Sequence, residues 1–326
     1  MNDAMIEVEG LRKSFGKKAA VADVSFSVPG GTVLGLLGPN GAGKTTVINC
    51  LSTLLRPDAG RVTVAGHDVL GDPAAVRASI SLTGQFAAVD QVLTGRQNLV
   101  LFGRLLRLSR REAGERATEL LSRFDLLEAG DKAVKEYSGG MRRRLDLAAA
   151  LVVPRPVLVL DEPTTGLDPR SRHAMWRVVR DLRAEGVTVL LTTQYLEEAD
   201  RLADAIVVID KGRVIATGTP DELKDKVGTT MCEVRLDDDA ARERALGELR
   251  GQWTDATESD GAIVVPGGDA RTLTEIVRRL ADTGIEADNV ALRRPTLDDV
   301  FFALTGRGAA EPGRSGTSGE VARAAR

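Results

Sequence analysis

Val33-Leu-Gly-Leu-Leu37, followed at once by Gly38-Pro-Asn-Gly-Ala-Gly-Lys44-Thr45-Thr46, decides the fold of this 326-residue chain. Unbroken apolar residues read as a strand covered on both faces, and the run from Lys44 onward reads as a helix. Between them the glycines let backbone N–H groups close around phosphate oxygens. Lys44 brings positive charge to the β and γ groups, and the Thr45 hydroxyl is placed to hold Mg²⁺. The helix start adds a dipole that favours an anion. Gly38, Pro39, Asn40, Gly41, Ala42, Gly43, Lys44, Thr45 and Thr46 are the expected nucleotide-binding loop.

A second strand end, Leu158-Val-Leu-Asp161-Glu162-Pro163, supplies acidic groups. Ligands of open α/β sheets bind at the carboxyl ends of the strands, where Asp161 would join a Mg²⁺ shell. Glu162 follows it as the candidate to polarise an attacking water. The alternative is an acidic pair that only caps the next turn.

Around these motifs the pattern divides. Short β-rich runs fill the first 85 residues (Ile6–Val8, Val24–Val28, Val62–Ala65). From Thr94 to Ala150 the periodicity turns helical, with Leu99, Phe102, Leu105 and Leu106 expected on one face. Strands resume at Val157–Leu160, Thr188–Thr192 and Ala205–Ile209, with a helix over Ser171–Ala184, which predicts a mostly parallel sheet covered on both sides. Near Gly228 a different unit begins: strand Cys232–Leu236, helix Ala240–Leu249, strand Ala262–Val265, helix Thr272–Ala281 and strand Val290–Arg293. Thr296 with Asp299 then caps a short helix bearing Leu297, Val300, Phe301 and Leu304, whose apolar face should dock on a core. Phe301 and Phe302 cannot both face one way. The composition after Gly306 predicts a disordered tail.

Composition excludes several classes. A net charge of −3 and 3% aromatic residues leave no footprint for nucleic acid. No stretch reaches the roughly 20 apolar residues of a membrane span, since Leu145–Leu160 is broken by Asp146, Pro154, Arg155 and Pro156. The first residues lack a secretory pattern, so a cytosolic protein is expected. Cys50 and Cys232 lack paired metal or redox spacing and read as reduced, buried thiols.

Tyr137-Ser-Gly-Gly-Met-Arg-Arg-Arg144, lying between the phosphate loop and the acidic strand end, resembles the signature of ABC-type ATPases, and the other motifs of that family follow in order. Within it, Leu82-Thr-Gly-Gln-Phe-Ala-Ala-Val-Asp90, Thr192-Thr-Gln-Tyr-Leu-Glu-Glu-Ala-Asp200 and Pro295–Thr305 resemble the ATP-binding subunits of the daunorubicin/doxorubicin-resistance exporters. The resemblance covers about residues 5–306. It implies an α/β P-loop NTPase core with a mixed sheet (residues 1–227), a helical subdomain inserted at about 86–150, and a small α+β accessory domain over 228–306 of ferredoxin-like form, with the tail at 307–326.

The same resemblance implies site roles. ATP and Mg²⁺ would be shared in a head-to-tail homodimer, where Ser138, Gly139 and Gly140 of one subunit face the γ-phosphate held by the other. Gln85 would contact Mg²⁺ and water, or be a plain polar loop residue. Asp168 in Gly166-Leu-Asp-Pro169 would bridge the dimer, although Asp-Pro is also a helix-start signal. Phe15 would stack on adenine, or be a half-buried edge-strand residue. Gln194 stands where most of the family has histidine; it can donate a hydrogen bond to the γ-phosphate but carries no proton. The group shares that glutamine, so Glu162, Lys44 and Gln194 form the expected catalytic set.

The implied machine is an ATPase at the cytoplasmic face of the membrane that drives export of an amphiphilic drug or lipid through a separate permease, with Gln85–Arg107 as the docking surface. A soluble ATP-switched protein acting on a macromolecule would carry two cassettes or a long coiled coil, and this chain has one short intervening segment. A P-loop kinase would leave Ser138-Gly139-Gly140 without a role.

Overall fold

The computed structural model describes residues 4–84, 88–226, 230–259 and 261–305. Gln85 and the 307–326 tail lie outside the described residues.

The chain opens with the long hairpin β1 (Ala4–Phe15) and β2 (Lys18–Pro29), then β3 (Val33–Leu37) and α1 (Lys44–Leu51). β4 (Ala59–Val64), β5 (His67–Asp68), α2 (Pro73–Ser79) and β6 (Ile80–Thr83) follow. The helical segment holds α3 (Gly95–Leu105), α4 (Arg110–Arg123) and α5 (Gly139–Ala150). Capping boxes start two of these helices, Thr94 with Gln97 and Ser109 with Glu112, so each orphan amide pair is satisfied locally. The core resumes with β7 (Val157–Asp161), α6 (Pro169–Ala184), β8 (Thr188–Thr193), α7 (Leu196–Leu202), β9 (Ala205–Asp210), β10 (Arg213–Gly218) and α8 (Pro220–Asp225).

These strands form one sheet in the order β5-β4-β1-β2-β10-β9-β3-β8-β7-β6. It is more mixed than "mostly parallel". The half from β9 to β6 is parallel, as is the short β2–β10 pairing, whereas the β1–β2, β1–β4, β4–β5 and β9–β10 pairings are antiparallel. Hairpins join β1 to β2, β4 to β5 and β9 to β10, and a hairpin fixes antiparallel pairing whatever the rest of the sheet does. In β7, Leu158 and Leu160 enter a core shared with α3–α6, and Val157 and Val159 enter the opposite core with α1. The two-residue period thus divides an unbroken apolar strand between two layers.

The α3 face differs from the one expected. Gly95, Asn98, Leu99 and Gly103 are buried and Phe102 is half-buried, while Leu105 and Leu106 are exposed. A Cβ on Gly103 would lie 2.9 Å from Ala113 Cβ, so the close approach of α4 selects the small-residue stripe over the bulkier one.

The last unit runs β11 (Met231–Arg235), α9 (Asp239–Arg250), β12 (Thr257–Ser259), β13 (Ala262–Pro266), α10 (Ala270–Asp282) and β14 (Asn289–Arg293). Its antiparallel sheet, β12-β13-β11-β14, is the ferredoxin-like βαββαβ order, completed by the short β12 that periodicity did not reveal. The terminal α11 (Leu297–Thr305) leaves that unit. Leu297, Val300 and Phe301 share a core with Leu37, Leu196, Val208 and Leu223 of the large sheet and its helices. Phe301 is buried and Phe302 half-buried.

Candidate functional site

The sheet order sets β3, β8 and β7 side by side, so the three loops at their carboxyl ends converge. Leu36 pairs with Thr192, and Thr192 with Asp161, in one transverse row. Just beyond β3 the chain turns tightly through glycines. A Cβ on Gly38 would overlap the Ile209 carbonyl, and Gly43 has φ +111 with the Ala20 carbonyl 2.5 Å from where its Cβ would stand. Only glycine fits these positions. The N–H groups of Lys44, Thr45 and Thr46 then open α1, where no preceding helical carbonyl serves them.

Lys44 is 6% exposed. Its Nζ donates to Gly38 O at 2.7 Å and to Pro39 O at 3.2 Å. Burial draws its pKa down, and the carboxylates of Glu162 and Asp161 push back. The ammonium therefore belongs electrostatically to the acidic end of β7.

Asp161 is 4% exposed and closes β7. Thr192 Oγ1 donates to its Oδ1 at 2.5 Å, and Thr45 Oγ1 donates to its Oδ2 at 3.4 Å. The next residue, Glu162, has φ +50, a left-handed conformation uncommon for a non-glycine side chain. Its N–H donates to Thr192 O at 3.0 Å and to Thr192 Oγ1 at 3.1 Å, and Thr165 Oγ1 donates to its Oε2 at 3.3 Å. Strain of this kind persists only where neighbours over-determine it, and it concentrates at working sites.

These residues fit both groups that the sequence implies. The glycine cradle and the unpaired first-turn amides suit phosphate oxygens, and Thr45 with Asp161 offers the hard oxygen donors that Mg²⁺ takes.

The remaining expected residues fall into two sets. Gln194 is half-buried between β8 and α7, two residues past Thr192. Phe15, 52% exposed, ends β1 at the hairpin whose return strand passes Gly43 at Ala20. Ser138, Gly139, Gly140 and Asp168 are elsewhere. Ser138 caps α5, its Oγ accepting from Met141 N–H at 3.2 Å, and both Ser138 and Gly139 are exposed. Asp168 caps α6 and is exposed, and its pKa is lowered by the Ser171 hydroxyl and amide. Among the described residues no hydrogen bond joins 138–140 to the phosphate loop.

Three residues escaped the sequence reading. Thr192 stands next to last in an apolar strand, and nothing local distinguishes its hydroxyl from that of Thr193. Glu198 in α7 is fully buried with Trp176 Nε1 donating to Oε1 at 3.0 Å. Burial pushes its carboxyl above the usual range, against the Trp176 donor and the Arg172 charge, which favour the ionised form. Arg143 was hidden inside a basic triplet, although an aspartate one helical turn later in a helix of alanines and leucines is a signal for pairing.

Comparison with known proteins places this geometry. Residues 21–165 match the family model described as "ABC transporter", and residues 218–305 match that of the "ATP-binding protein DrrA1-3-like, C-terminal domain". Daunorubicin resistance ATP-binding protein DrrA2 of Streptomyces coeruleorubidus is 54% identical over 310 residues, covering 94% of this chain and 96% of the relative. The chain belongs to the ABC transporter ATP-binding family. It is accordingly an ATPase with the cassette fold. Doxorubicin resistance ATP-binding protein DrrA of Mycobacterium tuberculosis is 53% identical over 312 residues (93% and 94% covered). Nod factor export ATP-binding protein I of Ralstonia nicotianae is 41% identical over 306 residues (93% and 94%). Among solved structures, the ATP-binding subunit of an ABC transporter superposes with a TM-score of 0.62 at 30% identity, over 68% of this chain and 92% of that one.

Proposed function

We propose that this ABC ATPase energises export of an amphiphilic drug, antibiotic or lipid through a separate integral-membrane permease, working as a head-to-tail homodimer on the cytoplasmic face of the membrane. The supporting observation is the transverse row that sets Thr192 against Asp161 beside the phosphate loop and pins the amide of Glu162 in a left-handed turn. ATP would lie on Gly38–Thr46 with Lys44 against its β and γ groups and Phe15 against the adenine. Thr45, Asp161 and Gln85 would hold Mg²⁺, which supplies charge neutralisation on the transferring phosphoryl group. Glu162 orients the attacking water, and Gln194 donates a hydrogen bond to the γ-phosphate without exchanging a proton. Ser138 and Gly139 of the second copy, exposed at the start of α5, complete the site together with the buried Gly140 behind them, and Asp168 bridges the two copies. Chemistry of this class depends on position and charge more than on bond-making by the protein.

The permease would dock near the cleft between the sheet and α3. That groove, about 240 Å³, is lined by Leu82, Ala88, Phe102 and Leu106 among others, and Val92, Leu101 and Leu105 expose further apolar surface close by in the chain. Names of the relatives, which refer to drug resistance and to export, support the direction and cargo class.

Glu162→Gln is expected to bind ATP and accumulate as a closed dimer on size exclusion; turnover at the unmodified rate would defeat the assignment. Copurification with a polytopic membrane protein, and drug efflux lost on Lys44→Ala, tests the transport role. A chain that never associates with membranes refutes it.

A further inference from the structure

Arg143, five residues into α5, has no part in the phosphate chemistry above, yet its contacts reach two segments outside its own helix. Its side chain is 11% exposed. Nη1 donates to Gly84 O at 2.8 Å and Nε to Pro163 O at 2.9 Å, while Nη2 donates to Asp161 O and Glu162 O, each at 3.2 Å. One turn along the helix, Asp146 is 4% exposed, lies 3.5 Å from Arg143 Nη1 and accepts from Ala88 N–H at 2.7 Å. Gly84 and Ala88 flank Gln85 in sequence.

We propose that Arg143 and Asp146 are positioning residues for ATP hydrolysis, a brace that fastens Gly84, Ala88 and the backbone of Glu162 to the helix that begins at Ser138. A planar guanidinium with five donors can serve several carbonyls at once, and a lysine cannot reproduce that fork. Glu162 is held from both sides: Thr192 fixes its N–H, and Arg143 fixes its C=O. Its left-handed φ sets the direction of its carboxylate, so loosening either tie would misaim the group. The brace also makes the signature helix, the catalytic strand end and the flanks of Gln85 move as one body. Burial works against the charge on Arg143, and the carboxylates of Asp146, Asp161, Glu198 and Glu162 restore it, so the pair is retained at an electrostatic cost.

The inference rests on Glu162 being the water-orienting group, and the test separates the two. In the full-length chain, Arg143→Gln is expected to lower kcat about 10- to 100-fold. KM for ATP should stay within about threefold, since nucleotide contacts are untouched. Asp146→Ala should raise amide hydrogen exchange at Ala88 and lower kcat. Asp146→Asn, whose amide oxygen still accepts from Ala88, should restore the protection and most of the rate. If Arg143→Gln does not fold, Arg143→Lys, which keeps the charge without the fork, is measured for the same split. Full turnover by Arg143→Gln or Arg143→Lys, or a fall in kcat matched by KM and by thermal stability, would overturn the brace. Full turnover by Glu162→Gln would overturn the role of Glu162 itself, whereas an inactive Glu162→Gln beside an active Arg143→Gln overturns the brace alone.

Discussion

Gly140 and Ser171 touch with no room for a side chain between them: a Cβ on Gly140 would overlap Ser171 Oγ and lie 2.9 Å from Ser171 Cβ. That hydroxyl donates to Asp168 Oδ2 at 2.6 Å, so the signature turn is packed on the residue that caps α6. Gly140→Ala should force Ser171 off Asp168, at about 1–3 kcal/mol for the overpacking. Adding Ser171→Gly should recover much of the stability, measured by urea unfolding. A double variant no better than Gly140→Ala would show that crowding is not the cause.

Ser138 both caps α5 and faces solvent. Ser138→Ala is expected to lose about 1 kcal/mol of stability through the cap, and to slow hydrolysis more than it weakens ATP binding. Ser138→Asn retains capping, so stability should return without the rate. Recovery of both together would reduce Ser138 to a cap.

Thr192 Oγ1 is the only hydroxyl that donates to Asp161 Oδ1 among the described residues. Thr192→Val keeps the shape and removes the bond, leaving a buried carboxylate oxygen short of a partner, while the Glu162 amide keeps only its bond to the Thr192 carbonyl. The expected cost is about 1–3 kcal/mol, together with weaker Mg²⁺-dependent nucleotide binding. Unchanged Mg²⁺ titration of ATP binding in Thr192→Val would contradict this.

Glu198 carries a pKa raised chiefly by burial. Its folded form therefore holds a proton that the unfolded chain releases near pH 4.3, so its contribution to stability is complete below that pH and lost as pH climbs through the folded value. Glu198→Gln has no proton to lose. Its stability relative to the unmodified chain should rise with pH above about 4.3 and then level off. Parallel stability curves across that range would place the titration elsewhere.

Asp299 has the opposite sign. Burial opposes its charge, but the Arg293 fork, at 2.6 and 2.9 Å, and the amide and hydroxyl of Thr296 hold its pKa below the usual range. The resulting stability is present above about pH 3.9 and disappears as pH falls through the folded value. Asp299→Asn should cost about 2–3 kcal/mol at neutral pH, and the difference should shrink on acidification. Limited proteolysis should release α11 first.

Much of the site was legible because its signals are short-range. Glycines that tolerate left-handed turns, a lysine at a helix start and an acid at the end of an apolar strand act within a few residues, so spacing exposes them. Thr296 and Asp299 cap α11 across three residues in the same way. Thr192 and Arg143 were invisible for the converse reason. Thr192 is 31 residues from Asp161, and Arg143 is 59 from Gly84, so their partners exist only once strands β6, β7 and β8 are set side by side.

By itself, the amino-acid sequence determined the strand-loop-helix that receives phosphate, the acidic end of β7, and the start and stop of most helices, since capping and periodicity are local. Tertiary structure alone decided which strands became neighbours, that α11 leaves its own unit to pack beside Leu37 and Leu223, and that Ser138 stays exposed at the start of α5 with no hydrogen bond to the phosphate loop among the described residues. Those outcomes depend on how apolar faces from distant segments are buried together, and burial is non-directional: it selects a partner by shape and availability, which no single stretch of chain encodes.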